Sequence, residues 1–231
     1  GAAAILCAQG AAVPSGIACL RSGNVRLAVA KLAAAFYAPQ PEWVVAVTGT
    51  DGKTSTADFF RQLWYLSGQK AASIGTLGVT GIEDGTRFPA INTTPDPVLL
   101  QQILHRLADE GYTHVAMEAS SHGLDQYRLE GVSIRAAAFT NLTRDHLDYH
   151  KTPEAYFAAK KRLFSELLPE GGTAVINVDD PQAEVTGHRL GSGGLRSTFE
   201  GSRPGDHGKV LVHENGVLDE DGVRAVVGRL D

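Results

Sequence analysis

Apolar positions along the chain fall into two patterns, short runs rich in Val, Ile and Ala and longer stretches with helical spacing. The short runs predict buried strands, at residues 3–7, 44–47, 71–74, 114–118, 134–140 and 173–178. The periodic stretches predict helices, at residues 26–37, 54–67, 97–110 and 153–168, with a weak helix from Pro181. Because strands alternate with helices, the pattern predicts an α/β fold, a mostly parallel sheet with helices on both faces.

Turn-forming residues refine this picture. Asp96 has the side chain of an N-cap, and Pro97 suits the first turn of a helix. Residues 75–88 are rich in Gly and Thr and carry a turn signal at 84–85, which predicts a hairpin. From about residue 197 onward, short apolar runs between Gly and Asp predict antiparallel hairpins that extend the sheet.

A candidate linker divides the chain. Residues 38–41, Ala-Pro-Gln-Pro, break the first helical pattern. We expect residues 1–41 to be the C-terminal part of one domain, because they are too few to form a complete one. Residues 42–231 are then expected to form most of a second domain.

Composition excludes several classes of protein. The 231 residues are 43% hydrophobic and 20% charged, which is ordinary for a globular protein. The net charge is −5, so the composition gives no sign of the basic surface that a nucleic-acid partner would require. Cys7 and Cys19 are too few for a disulfide framework or a metal cluster, and they suit a reducing cytosol. No apolar run is long enough to span a bilayer. These observations predict a cytoplasmic globular protein without a membrane or nucleic-acid partner.

The strand at 44–47 leads into a candidate phosphate-binding loop, Thr-Gly-Thr-Asp-Gly-Lys-Thr-Ser at 48–55. Backbone N–H groups of such a loop and of the following helix favour an anion. Lys53 would add a positive charge for the β- and γ-phosphates, and the Thr54 hydroxyl would suit magnesium. The general pattern also expects a glycine where Val47 stands. A simple glycine turn with a solvated lysine is the alternative.

Further candidate residues follow the predicted strands. Glu118 ends one strand and precedes Ala-Ser-Ser-His-Gly, a position suited to magnesium, although a solvated carboxylate is the alternative. The His- and Asp-rich segment 139–150 lacks the cysteines of a structural zinc site. Residues 92–95, Asn-Thr-Thr-Pro, could be an ordinary turn and helix entry.

One lysine lies on the apolar side of a predicted helix. Lys160 shares a stripe with five apolar side chains, whereas Lys161 is expected to point to water. The five are Tyr156, Phe157, Leu163, Phe164 and Leu167. A buried lysine is costly unless it is paired or modified. The alternative is a long stem that reaches solvent with its charged end.

Several of these strings resemble one family. The loop Thr-Gly-Thr-x-Gly-Lys-Thr resembles the ATP loop of the Mur ligases and folylpolyglutamate synthetases, which are ATP-dependent amide-forming ligases, with Asp51 where Asn is most frequent. Met-Glu-Ala-Ser-Ser-His-Gly-Leu at 117–124 is similar to a Mur ligase motif. Asn-Leu-Thr-Arg-Asp-His-Leu-Asp-Tyr-His at 141–150 resembles above all the tripeptide-forming Mur ligase. The resemblance covers about residues 26–182.

The resemblance implies roles for individual residues. It implies that catalysis depends on Lys53, Lys160 and His146. It implies that ATP is bound by Gly49, Thr50, Asp51, Gly52, Lys53, Thr54, Ser55 and Asn141. It implies that two magnesium ions are held by Thr54, Glu118, His146 and Lys160, with Lys160 carbamylated. It implies that a uridine-nucleotide sugar is bound by Asn92, Thr93, Thr94, Ser120, Gln126 and Arg128. Asp145 and Asp148 are expected to position their loop, and His150 to be exposed without a function.

The resemblance also implies an activity. The expected enzyme adds a diamino acid, meso-diaminopimelate or L-lysine, to UDP-N-acetylmuramoyl-L-alanyl-D-glutamate through an acyl phosphate. This is a step of peptidoglycan synthesis, and so of cell-wall biogenesis, cell shape and cell division. Residues 1–41 would belong to a uridine-nucleotide domain and 42–231 to the central ATP-binding domain, with the C-terminal domain absent and the fragment inactive alone. A sister ligase (another Mur ligase or folylpolyglutamate synthetase) and a non-catalytic nucleotide-binding module are the alternatives. The diamino acid and the oligomeric state stay open.

Overall fold

The computed structural model describes residues 2–83, 88, 92–177 and 180, together with the backbones of strands at 196–197 and 210–214. The strands are β1 Ala4–Ala8, β2 Ala18–Ser22, β3 Trp43–Thr48, β4 Ala71–Gly75, β5 Gly78–Thr80, β6 His114–Glu118, β7 Ile134–Phe139, β8 Thr173–Asn177, β9 Arg196–Ser197 and β10 Val210–Glu214. The helices are α1 Val25–Phe36, α2 Lys53–Leu66, α3 Pro97–Asp109, α4 Ser121–Asp125, α5 Leu147–His150 and α6 Pro153–Arg162. A π-helical turn, Leu163–Leu167, continues α6.

Eight of these strands form one sheet, in the order β5-β4-β6-β3-β7-β8-β10-β9. The five strands from β4 to β8 in this order run parallel, and β5, β10 and β9 are antiparallel to their neighbours. The carboxyl ends of the parallel strands therefore meet at one edge of the sheet. β1 and β2 pair separately as a parallel two-stranded sheet, against which α1 packs.

The sheet is covered on both faces, and its central strand β3 is apolar from Trp43 to Val47. In β3, Val44 and Ala46 face a core that includes Leu100, Ile103 and Leu104 of α3. Val45 and Val47 face the opposite core, with Ala57 and Trp64 of α2. Successive strand residues point to opposite faces, so a continuous apolar run indicates burial on both sides.

Local signals set the helix ends. The Asp96 carboxylate accepts hydrogen bonds from the backbone N–H groups of Val98 and Leu99 at the start of α3. The Thr152 hydroxyl accepts one from the N–H of Ala155 at the start of α6. Glycine ends α2, since Gly68 adopts a φ of +81° that suits a residue without a Cβ.

The α/β fold class and all the predicted strands and helices within the described residues are confirmed, with ends shifted by one or two residues except at α6. The last turn of that predicted helix is π-helical. The hairpin predicted at 75–88 pairs β4 with β5 through residues 76–77, and β10 extends the sheet as expected. β2, α4 and α5 were not predicted. The turn at 84–85 and the helix from Pro181 lie outside the described residues. Over the part that is described, no helix is long and apolar enough to cross a membrane.

Candidate active site

A cleft of about 280 Å³ lies at the carboxyl edge of the parallel strands. This is the position where open α/β sheets bind ligands. Its walls come from the loop after β3 and the start of α2, from the ends of β4 and β6, and from the residues that follow them. The turn before α3, the residue before α5 and the helix α6 complete them. The residues that line it are Thr50, Asp51, Gly52, Lys53, Thr54, Thr76, Thr93, Glu118, Ser120, Ser121, His146, Tyr156 and Lys160.

The loop between β3 and α2 requires both of its glycines. Gly49 has a φ of +147° and Gly52 a φ of +80°, conformations that other residues adopt with strain. A Cβ on Gly49 would lie 1.8 Å from the Thr140 hydroxyl. The two glycines therefore allow the backbone shape that places residues 50–54 at the cleft.

The segment after β7 braces this loop. The Asn141 side chain accepts a hydrogen bond from the Asp51 N–H at 3.0 Å, and its backbone carbonyl accepts one from the Thr50 N–H at 2.9 Å. The Thr50 hydroxyl accepts a hydrogen bond from the Thr143 N–H at 2.9 Å and lies 3.1 Å from the Tyr156 hydroxyl. Asn141 does not line the cleft, so in this structure it acts on the loop.

Two lysine side chains converge on one backbone carbonyl. The Lys53 amine donates to Gly49 O at 3.1 Å and to Thr50 O at 2.7 Å. The Lys160 amine also donates to Gly49 O, and it lies 4.5 Å from the centre of the Tyr156 ring. Lys160 is only 1% exposed, so its amine does not reach solvent as the alternative interpretation required.

Burial and mutual repulsion change the protonation of these amines. Burial, together with the positive charge of Lys53, lowers the pKa of Lys160 to about 7. Burial also lowers the pKa of Lys53, although the negative charges of Glu118 and Asp51 oppose this. Near neutral pH the Lys160 amine is therefore neutral in a substantial fraction of molecules. A neutral amine is a nucleophile, whereas an ammonium ion is not.

Glu118 lies in a pocket made by the start of the β4–β5 hairpin. It is 1% exposed, and its carboxylate accepts hydrogen bonds from the Thr76 N–H at 2.8 Å and from the Thr76 hydroxyl at 3.3 Å. A Cβ on Gly75 would lie 2.0 Å from a Glu118 carboxylate oxygen. Gly75 thus leaves room for this carboxylate. The burial of Glu118 and its hydrogen bonds to Thr76 exclude the alternative of a solvated carboxylate.

The segment 145–150 brings an imidazole to the cleft. His146 adopts a left-handed φ of +51° before α5, and its side chain is 45% exposed. Asp145 accepts a hydrogen bond from the His146 N–H at 2.8 Å and lies 3.3 Å from the His146 Nε2. The Asp148 carbonyl accepts a hydrogen bond from Lys151. These contacts hold the turn, as expected for Asp145.

The expectation for His150 was wrong on exposure. His150 is 8% exposed and lies among aromatic rings, 5.5 Å from His122, 4.8 Å from Tyr149 and 5.4 Å from Tyr156. α5 was not predicted, and this helical turn is what rotates His150 inward. Burial lowers the pKa values of His122 and His150, which favours their neutral forms.

The residues expected to bind the uridine-nucleotide sugar are only partly in the cleft. Thr93 and Ser120 line it. Thr94 is buried, and its hydroxyl donates to Glu118 O at 2.8 Å and accepts from the Ser120 N–H at 2.9 Å. Asn92 is exposed.

Gln126 and Arg128 form a separate polar unit behind these residues. The Gln126 carbonyl oxygen accepts hydrogen bonds from Arg128 Nη2 at 2.7 Å and Nε at 3.2 Å. Arg128 Nη1 donates to Thr94 O at 2.7 Å. Arg128 is therefore tied to the 92–95 turn.

The predictions missed three cleft residues, Thr76, Ser121 and Tyr156. Tyr156 was assigned to the apolar stripe, but its hydroxyl reaches Thr50. Ser121 is 1% exposed, and among the described residues its hydroxyl has no hydrogen-bond partner. The repeated serine at 120–121 was the signal for Ser121, whereas nothing local marks Thr76.

The donors in the cleft fit a magnesium ion that also binds phosphate. The Glu118 carboxylate, the Thr54 hydroxyl and the His146 imidazole all line the cleft. In the part of the chain that is described, no three His, Cys, Asp or Glu side chains cluster as a metal site. Magnesium commonly takes its remaining ligands from water and phosphates. The partnerless Ser121 hydroxyl is one further donor available to such a ligand.

The chain is similar to known proteins over most of its length. The family model described as the Mur ligase middle domain matches residues 47–205. A UDP-N-acetylmuramoyl-L-alanyl-D-glutamate–2,6-diaminopimelate ligase of Rhizobium meliloti (strain 1021) is 55% identical over 180 residues, which are 78% of this chain and 37% of that protein. The protein of the same name from Agrobacterium fabrum (strain C58 / ATCC 33970) is 46% identical over 228 residues, 94% of this chain and 46% of the relative.

Solved structures give the same result. A structure of a UDP-N-acetylmuramoyl-L-alanyl-D-glutamate–2,6-diaminopimelate ligase matches with a TM-score of 0.64 and 37% identity, over 75% of this chain and 35% of that one. MurF from Acinetobacter baumannii shares the fold, with a TM-score of 0.53 and 21% identity over 80% of this chain and 37% of its own. The chain spans less than half the length of these relatives. It belongs to the Mur ligase family, of which it contains the middle domain.

Proposed function

We propose that this chain is the ATP-binding part of a ligase that adds meso-diaminopimelate to UDP-N-acetylmuramoyl-L-alanyl-D-glutamate in peptidoglycan synthesis. The observation that carries the proposal is the meeting of four chemical groups in one cleft, the Lys53 and Lys160 amines, the Glu118 carboxylate and the His146 imidazole. The relatives' names support the substrate and favour diaminopimelate over lysine. The proposal includes a cytoplasmic location, in keeping with the free thiols of Cys7 and Cys19.

We also infer a domain boundary at residue 41. Residues 1–41 would belong to the uridine-nucleotide domain, and 42–231 to the central ATP-binding domain. The separate β1–β2 sheet supports this division, as does the family match, which begins at residue 47.

The reaction has two steps. In the first, a carboxylate oxygen of the D-glutamyl residue attacks the γ-phosphorus of ATP, so that an acyl phosphate forms and ADP leaves. In the second, the amine of the diamino acid attacks the acyl carbon, phosphate leaves and the nitrogen loses a proton. Both steps gather negative charge, which preorganised donors stabilise without further reorganisation.

Residues of the phosphate loop would bind the nucleotide. Backbone N–H groups of Gly49 and of Gly52 to Ser55, at the start of α2, would contact phosphate oxygens. The N–H groups of Thr50 and Asp51 bind Asn141, so these two residues would contribute through the shape of the loop. In this structure the Lys53 amine donates to two loop carbonyls. With ATP bound, it would turn to the β- and γ-phosphates. Asn141 would act by holding the loop in its binding shape.

Thr54, Glu118, His146 and Lys160 would hold two magnesium ions in this cleft, and the ions would supply charge neutralisation of the phosphates. The buried Lys160 amine supports a carbamate at this position. The neutral form that its lowered pKa favours can attack CO₂, so that an N–C bond forms, the nitrogen releases one proton to solvent and the product carries a carboxylate. Carbamylation would replace a buried cation with an oxygen ligand. ¹³C NMR of protein exposed to ¹³CO₂ tests it, with a carbamate signal expected from wild type and not from a Lys160→Met variant.

Thr93, Ser120 and Asn92 would contact the uridine-nucleotide sugar. Arg128 would present its positive charge to a phosphate or carboxylate of that substrate. Thr94 and Gln126 would contribute by holding Ser120 and Arg128 in place.

Phosphate release tests the activity. The protein encoded by the complete reading frame would be given ATP, magnesium and the nucleotide-linked dipeptide, with diaminopimelate or lysine added in turn. We expect release that requires the dipeptide and diaminopimelate. Release without the dipeptide would indicate a sister ligase, and ATP binding without any release would indicate a non-catalytic module.

A Lys53→Ala variant tests the role of the phosphate loop in the same assay. A single preorganised donor is worth roughly 3 kcal/mol in such sites, so we expect turnover to fall by roughly 100-fold or more. In the part of the chain that the structure describes, the Lys53 amine donates hydrogen bonds to two loop carbonyls, and the thermal midpoint should therefore stay near that of wild type. Turnover within a few-fold of wild type would contradict the assignment.

A further inference from the structure

We propose that Tyr149 is a positioning residue for the nucleotide-sugar substrate, which it holds indirectly through Gln126 and Arg128. The inference rests on the proposed function. Tyr149 is half-buried on α5, next to the cleft but not among the residues that line it. Its hydroxyl is hydrogen-bonded to Asp125 and Gln126, so its effect on the substrate passes through these side chains.

The Tyr149 hydroxyl joins two neighbouring residues at the end of α4. It donates to the Asp125 carboxylate at 2.7 Å and lies 3.1 Å from the Gln126 side-chain nitrogen, which donates to it. Gln126 in turn accepts from Arg128, and Arg128 donates to Thr94 O. One chain of hydrogen bonds therefore runs from the α5 segment to the 92–95 turn.

Each donor and acceptor in this chain has one possible role. A carboxylate only accepts, so the single proton of the Tyr149 hydroxyl points to Asp125. The hydroxyl lone pair then accepts from the Gln126 NH₂ group, which leaves the Gln126 carbonyl oxygen facing Arg128. A guanidinium only donates, so this orientation of the amide is the one that binds it.

Removal of the hydroxyl would take away the acceptor of the Gln126 NH₂ group. The amide would then be held from one side, by the two hydrogen bonds that its carbonyl oxygen accepts from Arg128. An amide restrained from one side is a weaker anchor for the guanidinium than one restrained from both. The Arg128 guanidinium would be less well fixed before the substrate arrives, and ordering it on binding would cost affinity.

The ring of Tyr149 makes a second connection, to the proposed metal ligand. It lies 4.2 Å from the His122 ring, and His122 lies 4.8 Å from the His146 ring in an edge-to-face contact. Phenylalanine would keep these ring contacts. Replacing only the hydroxyl therefore separates the substrate-positioning role from ring packing beside His146.

The test is a Tyr149→Phe variant of the protein from the complete reading frame. Dissociation constants for the nucleotide-linked dipeptide would be measured without ATP, and KM and kcat with ATP, magnesium and diaminopimelate. We expect Kd and KM for the dipeptide to rise roughly fivefold to tenfold, the effect of one or two net hydrogen bonds. The kcat and the KM for ATP should stay within about twofold of wild type.

Tyr65→Phe is the matched control, because Tyr65 is 69% exposed on α2 and lies outside the cleft. It should change none of these constants. A Tyr149→Phe/Gln126→Leu double variant should bind the dipeptide about as weakly as Gln126→Leu alone, since both changes break the same chain.

The outcomes separate this inference from the proposed function. Wild-type protein that does not turn over the dipeptide overturns the proposed function. Wild-type turnover with a Tyr149→Phe variant that matches Tyr65→Phe overturns the inference. A Tyr149→Phe variant with a lower kcat and an unchanged dipeptide Kd also overturns it, because the hydroxyl would then act on the chemical step.

Discussion

At the scale of single residues, the carbonyl oxygen of Gly49 is the meeting point of the site. It accepts hydrogen bonds from Lys53, four residues along the chain, and from Lys160, 111 residues away. Two ammonium groups on one carbonyl repel each other, and burial removes the water that would screen them. The arrangement therefore favours loss of a proton from the more buried amine, that of Lys160.

The depressed pKa of Lys160 predicts a pH effect on stability. Between pH 7 and its ordinary value of 10.5, the unfolded chain holds a proton at this site that the folded chain has lost. The free energy of unfolding of wild type should therefore rise relative to that of a Lys160→Met variant as the pH increases from 7 to 10. Urea unfolding in CO₂-free buffer measures it, and a constant difference across this range would contradict the prediction.

The position of a residue was predictable where the spacing of its near neighbours in sequence indicates it. The spacing of apolar residues was enough to predict that Lys160 lies on the buried face of its helix, and its 1% exposure excludes the alternative of an amine in solvent. His150 shows the limit, because its burial depends on a short helix that no periodic pattern marks. Thr76 was missed since its partner, Glu118, is 42 residues away in sequence.

At the scale of elements, β4 and β6 together position Glu118, because β4 ends in a glycine. The two strands are parallel neighbours, and Gly75 at the end of β4 leaves the space that the Glu118 carboxylate occupies. The following residue, Thr76, then contributes both hydrogen bonds to the carboxylate. The end of one strand thus shapes the pocket for the end of its neighbour.

A Gly75→Ala variant tests this arrangement. The added methyl group would lie 2.0 Å from a carboxylate oxygen, so Glu118 must move. We expect the magnesium concentration for half-maximal activity to rise roughly 10-fold or more, in line with changes at positions that orient metal ligands. Gly23→Ala is the control, because its Cβ would meet nothing within 4 Å. Equal magnesium requirements for the two variants would disprove the role of Gly75.

The main elements were predictable because their signals are local. Alternating strand and helix patterns gave the α/β class, and Asp96 and Thr152 mark helix starts through their own side chains. β2 was missed since Arg21 and Ser22 cut short its apolar run, whereas β1 is apolar throughout. The π-helical turn after α6 has no sequence signature of its own.

At the scale of the whole molecule, strand order decides how firmly each part of the site is held. β3 lies between β6 and β7, and both its faces are covered by helices. β5 is a three-residue strand at the edge of the sheet. The phosphate loop therefore extends from the most enclosed strand, and Thr76 from a hairpin near the edge.

Hydrogen exchange measures this difference. Amides from Val45 to Val47 should exchange among the slowest in the protein, because their opening requires disruption of both cores. Amides of β5 should exchange through local opening and be faster by orders of magnitude. Mass-spectrometric exchange on peptides from 43–48 and 76–82 would show it. Equal rates for the two peptides would contradict this description of the sheet.

The sequence by itself determined what depends on near neighbours: the alternation of strands and helices, the glycine-lysine loop after β3 and the apolar helix face that carries Lys160. The tertiary structure decided what depends on distant partners: the shared Gly49 carbonyl, the pocket of Glu118, the burial of His150 and the series of hydrogen bonds that links Tyr149 to Thr94. The physical reason is the distance along the sequence over which each interaction acts. Backbone propensity and apolar periodicity act within one element. The hydrogen bonds that shape the site join residues that are far apart in sequence and are brought together by the order of the strands.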